Sequence, residues 1–318
     1  MKKFIPFVFL VLFFACKKHN SSPATPSQWE PTSNYASSSV VDPVGFSIGG
    51  RLYIGMGSPN IGAGRGTQCV AYDTAANAWF QVSSFLTPTL VGSGFGLTIG
   101  GTGYVLLARD TLVGQLWAFD TAGDTWTRLA DYPGKFDVST IGFSVNGKAY
   151  VGFGDSADPQ AFYQYDPGTG GWSAIADFPG QQAGATTSFV IGNYAYVGLG
   201  TNLLAGPDAG LYDQFYRYDP SANTWRGIAV FPGSQRAGGT GFTVGGKGYV
   251  VGGVDANSNF LKDVWQYDPV ANTWSREADF PGAARELALG FGDSTNAYVG
   301  FGIGVGIVGL TDLWKFKP

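Results

Sequence analysis

The chain has 318 residues, a formal net charge of −4, 13% charged residues, 49 glycines and 15% aromatics. Glutamate occurs three times (Glu30, Glu277, Glu286) and histidine once (His19), which excludes an Ala/Glu/Lys/Leu helical protein, a multi-histidine metal centre and a buried histidine base. The length allows two domains or one large β architecture, and this mix of Gly, Thr/Val and aromatics points to short strands joined by tight turns.

Residues 1–15 read MKKFIPFVFLVLFFA, two lysines followed by a 12-residue apolar run. A spanning helix needs about 20 apolar residues, so the run reads as a secretory signal. Cys16 closes it, which resembles the lipobox of bacterial lipoproteins, although Leu12 stands four residues before the cysteine and Phe14 is bulky. The resemblance implies a lipoprotein signal peptide over 1–15, a lipidated tether over 16–28 and a chain held by acylated Cys16 on the outer membrane of a bacterial cell envelope, facing the periplasm or outside. An ordinary signal cut near Ala15 is the alternative. Without Lys2 and Lys3 the chain has 17 basic and 23 acidic residues, a net charge of −6 that argues against nucleic acid. Cys69 is the other cysteine, so no internal disulfide is expected, and its strand-like setting reads as a small buried apolar side chain.

From residue 29 onward the chain repeats. Trp29, Trp79, Trp126, Trp172, Trp225 and Trp274 recur at intervals of 46 to 53 residues. Twenty-four residues after five of them stand Tyr53, Tyr150, Tyr196, Tyr249 and Tyr298, and seventeen after the same five stand Phe46, Phe143, Phe189, Phe242 and Phe291. Each unit reads as four strands. A first strand such as Gly241–Val244 ends in a Gly-Gly or Asn-Gly turn suited to a two-residue hairpin, and a second begins at the tyrosine. After a variable loop the third strand ends in Tyr/Phe-Asp, and a turn such as Asp219-Pro-Ser-Ala-Asn-Thr leads to the fourth-strand tryptophan. Four-stranded units of about 50 residues are propeller blades.

The segment Tyr267-Asp268 to Trp274 and the pair Gly252-Gly253 resemble the Kelch repeat; four other blades carry Gly-x-Gly in place of the double glycine. The expected fold is all-β, a six-bladed β-propeller of four-stranded Kelch-like blades over 29–318. Because the chain stops before a sixth fourth-strand tryptophan, Gln28 to about Ser37 is expected to pair with Leu313–Lys317 and close the ring. The recurring aromatics read as inter-blade core rather than sugar platforms, and the recurring aspartates as turn builders.

Irregular positions carry the functional expectations. Eleven residues after Trp225 and Trp274 stand Arg236 and Arg285; Asp137, Val40 and Ala183 hold that column in other blades. The Kelch resemblance implies that arginines here face the ligand-binding mouth, where guanidiniums suit carboxylates or glycan hydroxyls; a solvated or turn-bonded arginine is the alternative. Arg65 and Arg109, in loops after second strands, and Asp137 complete the expected ligand-binding set. Glu286 stands in a column of small apolar residues and reads as a general base if desolvated, or as the ion-pair partner of Arg285 or Arg236. Residues 303–308, Ile-Gly-Val-Gly-Ile-Val, would be an odd surface unless packed over the channel or against a partner.

Galactose oxidase has a Kelch propeller, but its copper centre needs two histidine ligands that this chain lacks. No metal or cofactor is expected, and no Gly-Lys-Ser/Thr phosphate loop, Ser-His-Asp set or Cys-x-x-Cys pair occurs. The leading expectation is a monomeric, membrane-anchored, non-enzymatic propeller that recognises a glycan or an envelope protein at its central mouth. The alternative is a sugar mutarotase or epimerase similar to the six-bladed Kelch sialic acid mutarotases, with Glu286 as the catalytic carboxylate and an arginine clamp on the substrate.

Overall fold

The computed structural model describes residues 28–35, 41–58, 66–85, 94–108, 113–154, 158–181, 184–202 and 210–318. The signal segment, Cys16, Arg65 and Arg109 lie outside these residues. Within them the chain is all-β, with six four-stranded antiparallel sheets. Blade 1 is Val44–Ile48, Arg51–Gly55, Cys69–Asp73 and Ala78–Val82. Blades 2 to 5 repeat that order, beginning at Gly94–Ile99, Ile141–Val145, Thr187–Ile191 and Thr240–Val244. In blade 6 the strands Leu289–Gly292, Ala297–Gly300 and Leu313–Lys317 take Gln28–Pro31 as their fourth member, in the register Gln28↔Lys317 to Pro31↔Trp314. Each inner strand packs against the next, and that of blade 6 against that of blade 1, so the ring is closed as expected.

The phenylalanine and tyrosine columns meet because they are opposite one another in register. Phe46–Tyr53, Phe143–Tyr150, Phe189–Tyr196 and Phe242–Tyr249 stack at 5.0 to 5.4 Å between ring centres and within 14° of parallel. They are buried between blades, as are Tyr218 and Tyr267. Cys69 is also buried, and desolvation pushes its thiol up to about 12. Inner strands approach one another so closely that a Cβ at Gly96 would strike the carbonyl of Gly45, and one at Gly241 that of Ser188. Threonine hydroxyls stitch the same seams: Thr98 donates to Ser47 O at 2.8 Å, Thr187 to Gly239 O at 2.7 Å and Thr240 to Ala288 O at 3.1 Å.

The Gly-x-Gly elements are equivalent to the double glycine in a way their spelling hides. In them the middle residue is left-handed (Met56 φ 54°, Phe153 62°, Leu199 59°, Phe301 60°), as is Gly252 at 68°. The double glycine therefore aligns with x-Gly, not with the flanking pair. Burial of the Met, Phe and Leu side chains offsets the steric cost of about 1 kcal/mol for a non-glycine residue in this region.

Successive blades are also clipped at their outer edge. The residue two before the tryptophan is left-handed at φ 50–52° in four blades: Asn77, Asp124, Asn223 and Asn272. Its side-chain oxygen accepts the backbone N–H of the residue that leaves the preceding blade, namely Ser33, Ser83, Ala176 and Ala229. The indole N–H of Trp79, Trp126, Trp225 or Trp274 then donates to the carbonyl of that same residue. In Asn272 the oxygen also accepts the Tyr267 hydroxyl at 2.8 Å. Asn272→Ala should therefore destabilise the domain by about 2–3 kcal/mol in urea unfolding, through two lost hydrogen bonds and the left-handed backbone. Asn272→Gly should recover about 1 kcal/mol of that, the backbone share alone.

Candidate functional site

One face of the ring carries the segments that lead into the inner strands and the loops that follow the second strands. On it opens a channel of about 940 Å³. The inner-strand residues between the buried aromatics line it: Ser47, Thr98, Ser144 and Ser188 supply hydroxyls, glycines supply backbone, and Phe95, Ile141 and Leu289 add apolar surface. The rim holds Asp42, Val138, Ala185 and Leu287. Three corresponding rim residues and Gly238 are left-handed, with Asp42 at φ 51°, Ala185 at 51°, Gly238 at 66° and Leu287 at 52°. Hydrogen bonds run around this rim from blade to blade: Gly238 N–H donates to Ala185 O and Leu287 N–H to Gly238 O, both at 2.8 Å.

The structure corrects the placement of Arg236 and Arg285. Both are buried inside their blades, 0% and 1% exposed, instead of presenting guanidiniums at the mouth. Arg236 forms a fork with Asp263 at 2.6 and 2.8 Å, donates through Nη1 to Gly252 O and through Nε to Ser234 O, and lies over the Phe231 ring. Arg285 repeats this one blade on, with Asp312 at 2.8 and 2.7 Å, Phe301 O, Ala283 O and the Phe280 ring. Trp265 and Trp314 donate their indole N–H groups to the same carboxylates. The arginine carbonyls accept N–H bonds from the preceding blade, Gly200 to Arg236 and Gly253 to Arg285, so each arginine holds two blades together. Burial pushes the Asp263 and Asp312 carboxyls up, but hydrogen bonds and charge from their arginines outweigh it and hold both below the ordinary range.

Asp137 is likewise a turn residue. Its carboxylate accepts the Ser139 N–H at 2.6 Å, its carbonyl accepts the Thr140 N–H, and its own N–H donates to Thr140 Oγ1. Glu286 is not neutralised by either arginine, whose donors are spent on Asp263 and Asp312. It is half-buried, pairs with Ile303 in a short sheet beside the rim, and lies against the bare backbone of Gly238. Burial raises its pKa above the ordinary glutamate value. Among the described residues no group of three His, Cys, Asp or Glu comes together that could hold a metal. The sequence reading missed the hydroxyl lining and Asp42, though the small-residue alternation in Gly45/Ser47 and Gly96/Thr98 carried the signal.

The ring of six four-stranded blades, its inner aromatic columns and its blade-to-blade clips define a six-bladed β-propeller. The Kelch motif family matches residues 235–281, which begin one residue before Arg236 and run through blade 5. The solved structure of YjhT superposes with a TM-score of 0.72 at 17% identity, over 90% of this chain and 99% of that one. No curated protein matches the chain. At that identity the likeness speaks for the fold.

Two outcomes follow from the buried charges. Arg285→Met should cost about 2–3 kcal/mol by leaving the half-buried Asp312 carboxylate with the Trp314 indole as its remaining side-chain donor, and Arg285→Lys should recover little because the fork needs two parallel donors. Asp312 has a depressed folded pKa, so its contribution is present above the unfolded value of about 3.9 and is lost as pH falls; denaturant midpoints of wild type and Arg285→Met should converge in acid. Glu286 has the opposite sign. Its raised folded pKa makes it cost stability as pH rises above the ordinary glutamate value, so Glu286→Gln should gain stability over wild type across that window. Paired urea titrations between pH 2 and 8 check both, the lower end for Asp312 and the upper for Glu286.

Proposed function

We infer that this propeller is a membrane-anchored, non-enzymatic binding module of a bacterial cell envelope that takes a glycan or a protein partner at the channel mouth. The observation that supports this reading best is the channel itself. It is open, lined by hydroxyls, backbone and apolar side chains such as Phe95, Ile141 and Leu289, and rimmed by Val138 and Leu287, both exposed. Hydroxyl and backbone donors and acceptors suit sugar hydroxyls or an extended peptide, and the exposed apolar rim suits the faces of either. Arg236 and Arg285 contribute rigidity rather than contacts, holding in place the segments that carry the rim.

A second reading, a sugar mutarotase, is favoured by Glu286 alone: a half-buried carboxylate with a raised pKa beside the rim is a fit general base for ring opening. That reading must find its substrate-holding cation elsewhere than in Arg236 and Arg285.

Equilibrium titration with a panel of neutral and acidic saccharides tests the binding module. Val138→Arg should weaken any mouth ligand at least tenfold, while Val270→Arg, 92% exposed in a turn between the third and fourth strands of blade 5, should leave it unchanged. Equal weakening by both substitutions would remove the mouth as the site. Anomer-exchange NMR addresses the second reading: acceleration abolished by Glu286→Gln supports it, and no acceleration by wild type removes it.

A further inference from the structure

We propose that the turn face of the propeller is the side held against the anchoring membrane, and that the channel mouth, with the apolar hairpin beside it, points away from that membrane into the aqueous space. This rests on the anchored reading given above.

The observation behind it is the way the ring closes. Gln28 pairs with Lys317, the last residue of its strand. In the other blades that position is taken by the aspartate that begins the third-to-fourth-strand turn: Asp73, Asp120, Asp166, Asp219 and Asp268. These turns lie beside the hairpins of the first two strands, since Lys148 bonds Asp166 and Lys247 bonds Asp268. Pro318 in turn approaches Gly245, in the inner hairpin of blade 5. The chain therefore enters the domain on the turn face, opposite Arg236, Arg285 and the rim. Only twelve residues, Cys16 to Ser27, would separate an acyl chain from that entry. Fully extended they reach about 40 Å, and as a flexible coil they span about 20 Å on average.

The opposite face carries Ile303–Gly304 and Val308–Gly309, joined by a tight turn and paired with Arg285–Glu286. Val305, Ile307 and Val308 on this hairpin are 73%, 62% and 55% exposed. Three exposed aliphatic side chains at a hairpin tip could serve as a membrane wedge, but the chain entry sets them on the far side from the anchor. The turn face needs no affinity of its own for lipid. Four of its cations are paired within the face, in Arg51–Asp73, Lys148–Asp166, Lys247–Asp268 and Lys317–Glu30.

The test uses the full lipidated chain purified from membranes and incorporated into phosphatidylcholine vesicles, with Cys69→Ala so that a single added thiol can be labelled. A donor fluorophore on Val270→Cys should transfer at least twice as much energy to a rhodamine lipid as one on Val305→Cys. Equal transfer, or more from Val305→Cys, overturns the proposal. Vesicle flotation separates the premise from the inference: wild type should float and Cys16→Ser should not. If wild type fails to float, the anchor and the orientation fall together, while saccharide binding at the mouth is decided by its own titration on the unanchored domain.

Discussion

The architecture depends on a clip repeated at the outer edge of the ring. A left-handed asparagine or aspartate and the tryptophan two residues later grip one peptide of the preceding blade, the first through its N–H and the second through its carbonyl. Neither half of the clip is local. Each joins residues 41 to 49 positions apart, so a blade completes its neighbour's backbone hydrogen bonding as well as its apolar face. This accounts for the tryptophan register more fully than core packing does. An indole supplies a donor at the end of a large apolar ring, and tyrosine or phenylalanine in its place would fill the volume without reaching the carbonyl.

Trp29 stands apart from this scheme. It belongs to the closing strand, which neighbours Leu313–Lys317 in the sheet but not in the sequence, and its indole nitrogen is buried without an acceptor. What it has instead is rings: Phe280 edge-on at 4.9 Å, Phe316 at 4.6 Å and Phe242 at 6.5 Å. Close by, Arg285 ties blade 6 to blade 5 by its carbonyl and to its own third strand by its fork with Asp312. The last two blades thus carry buried ion pairs, while blade 2 sets Gln115 in the corresponding position, its amide oxygen 3.4 Å from the Trp117 indole nitrogen.

How much of this is legible in the sequence varies with the kind of interaction. The ring, its six blades and the closing strand are legible because aromatic columns and turn residues repeat at fixed spacing, and spacing survives into three dimensions. The left-handed Met56, Phe153, Leu199 and Phe301 are not, because bulky apolar side chains carry no local sign of that conformation and only tertiary burial maintains it. Arg236 and Arg285 stand out as irregular positions, yet their role is hidden, since a column says where a residue sits and not which partner it meets. Their partners are visible in outline: Asp263 and Asp312 both follow 27 residues later, and both precede a tryptophan by two. The surroundings of Glu286 are hidden for the same reason, because sequence adjacency to Arg285 does not bring the side chains together when they leave a strand on opposite sides.

The pairing of Gln28 with Lys317 has a mechanical consequence. If the tether holds the molecule to a surface, any tension on it loads the closing strand at its first residue, at the end of an antiparallel ladder. Gln28–Pro31 is the outermost strand of its sheet and is held by one ladder, so it is the strand such a pull reaches first. Trp29, with its unanswered indole nitrogen and its three aromatic neighbours, is then the latch of the ring. Its ring contacts, which must be dragged out of the core, add to the resistance of the ladder between Gln28–Pro31 and Leu313–Lys317.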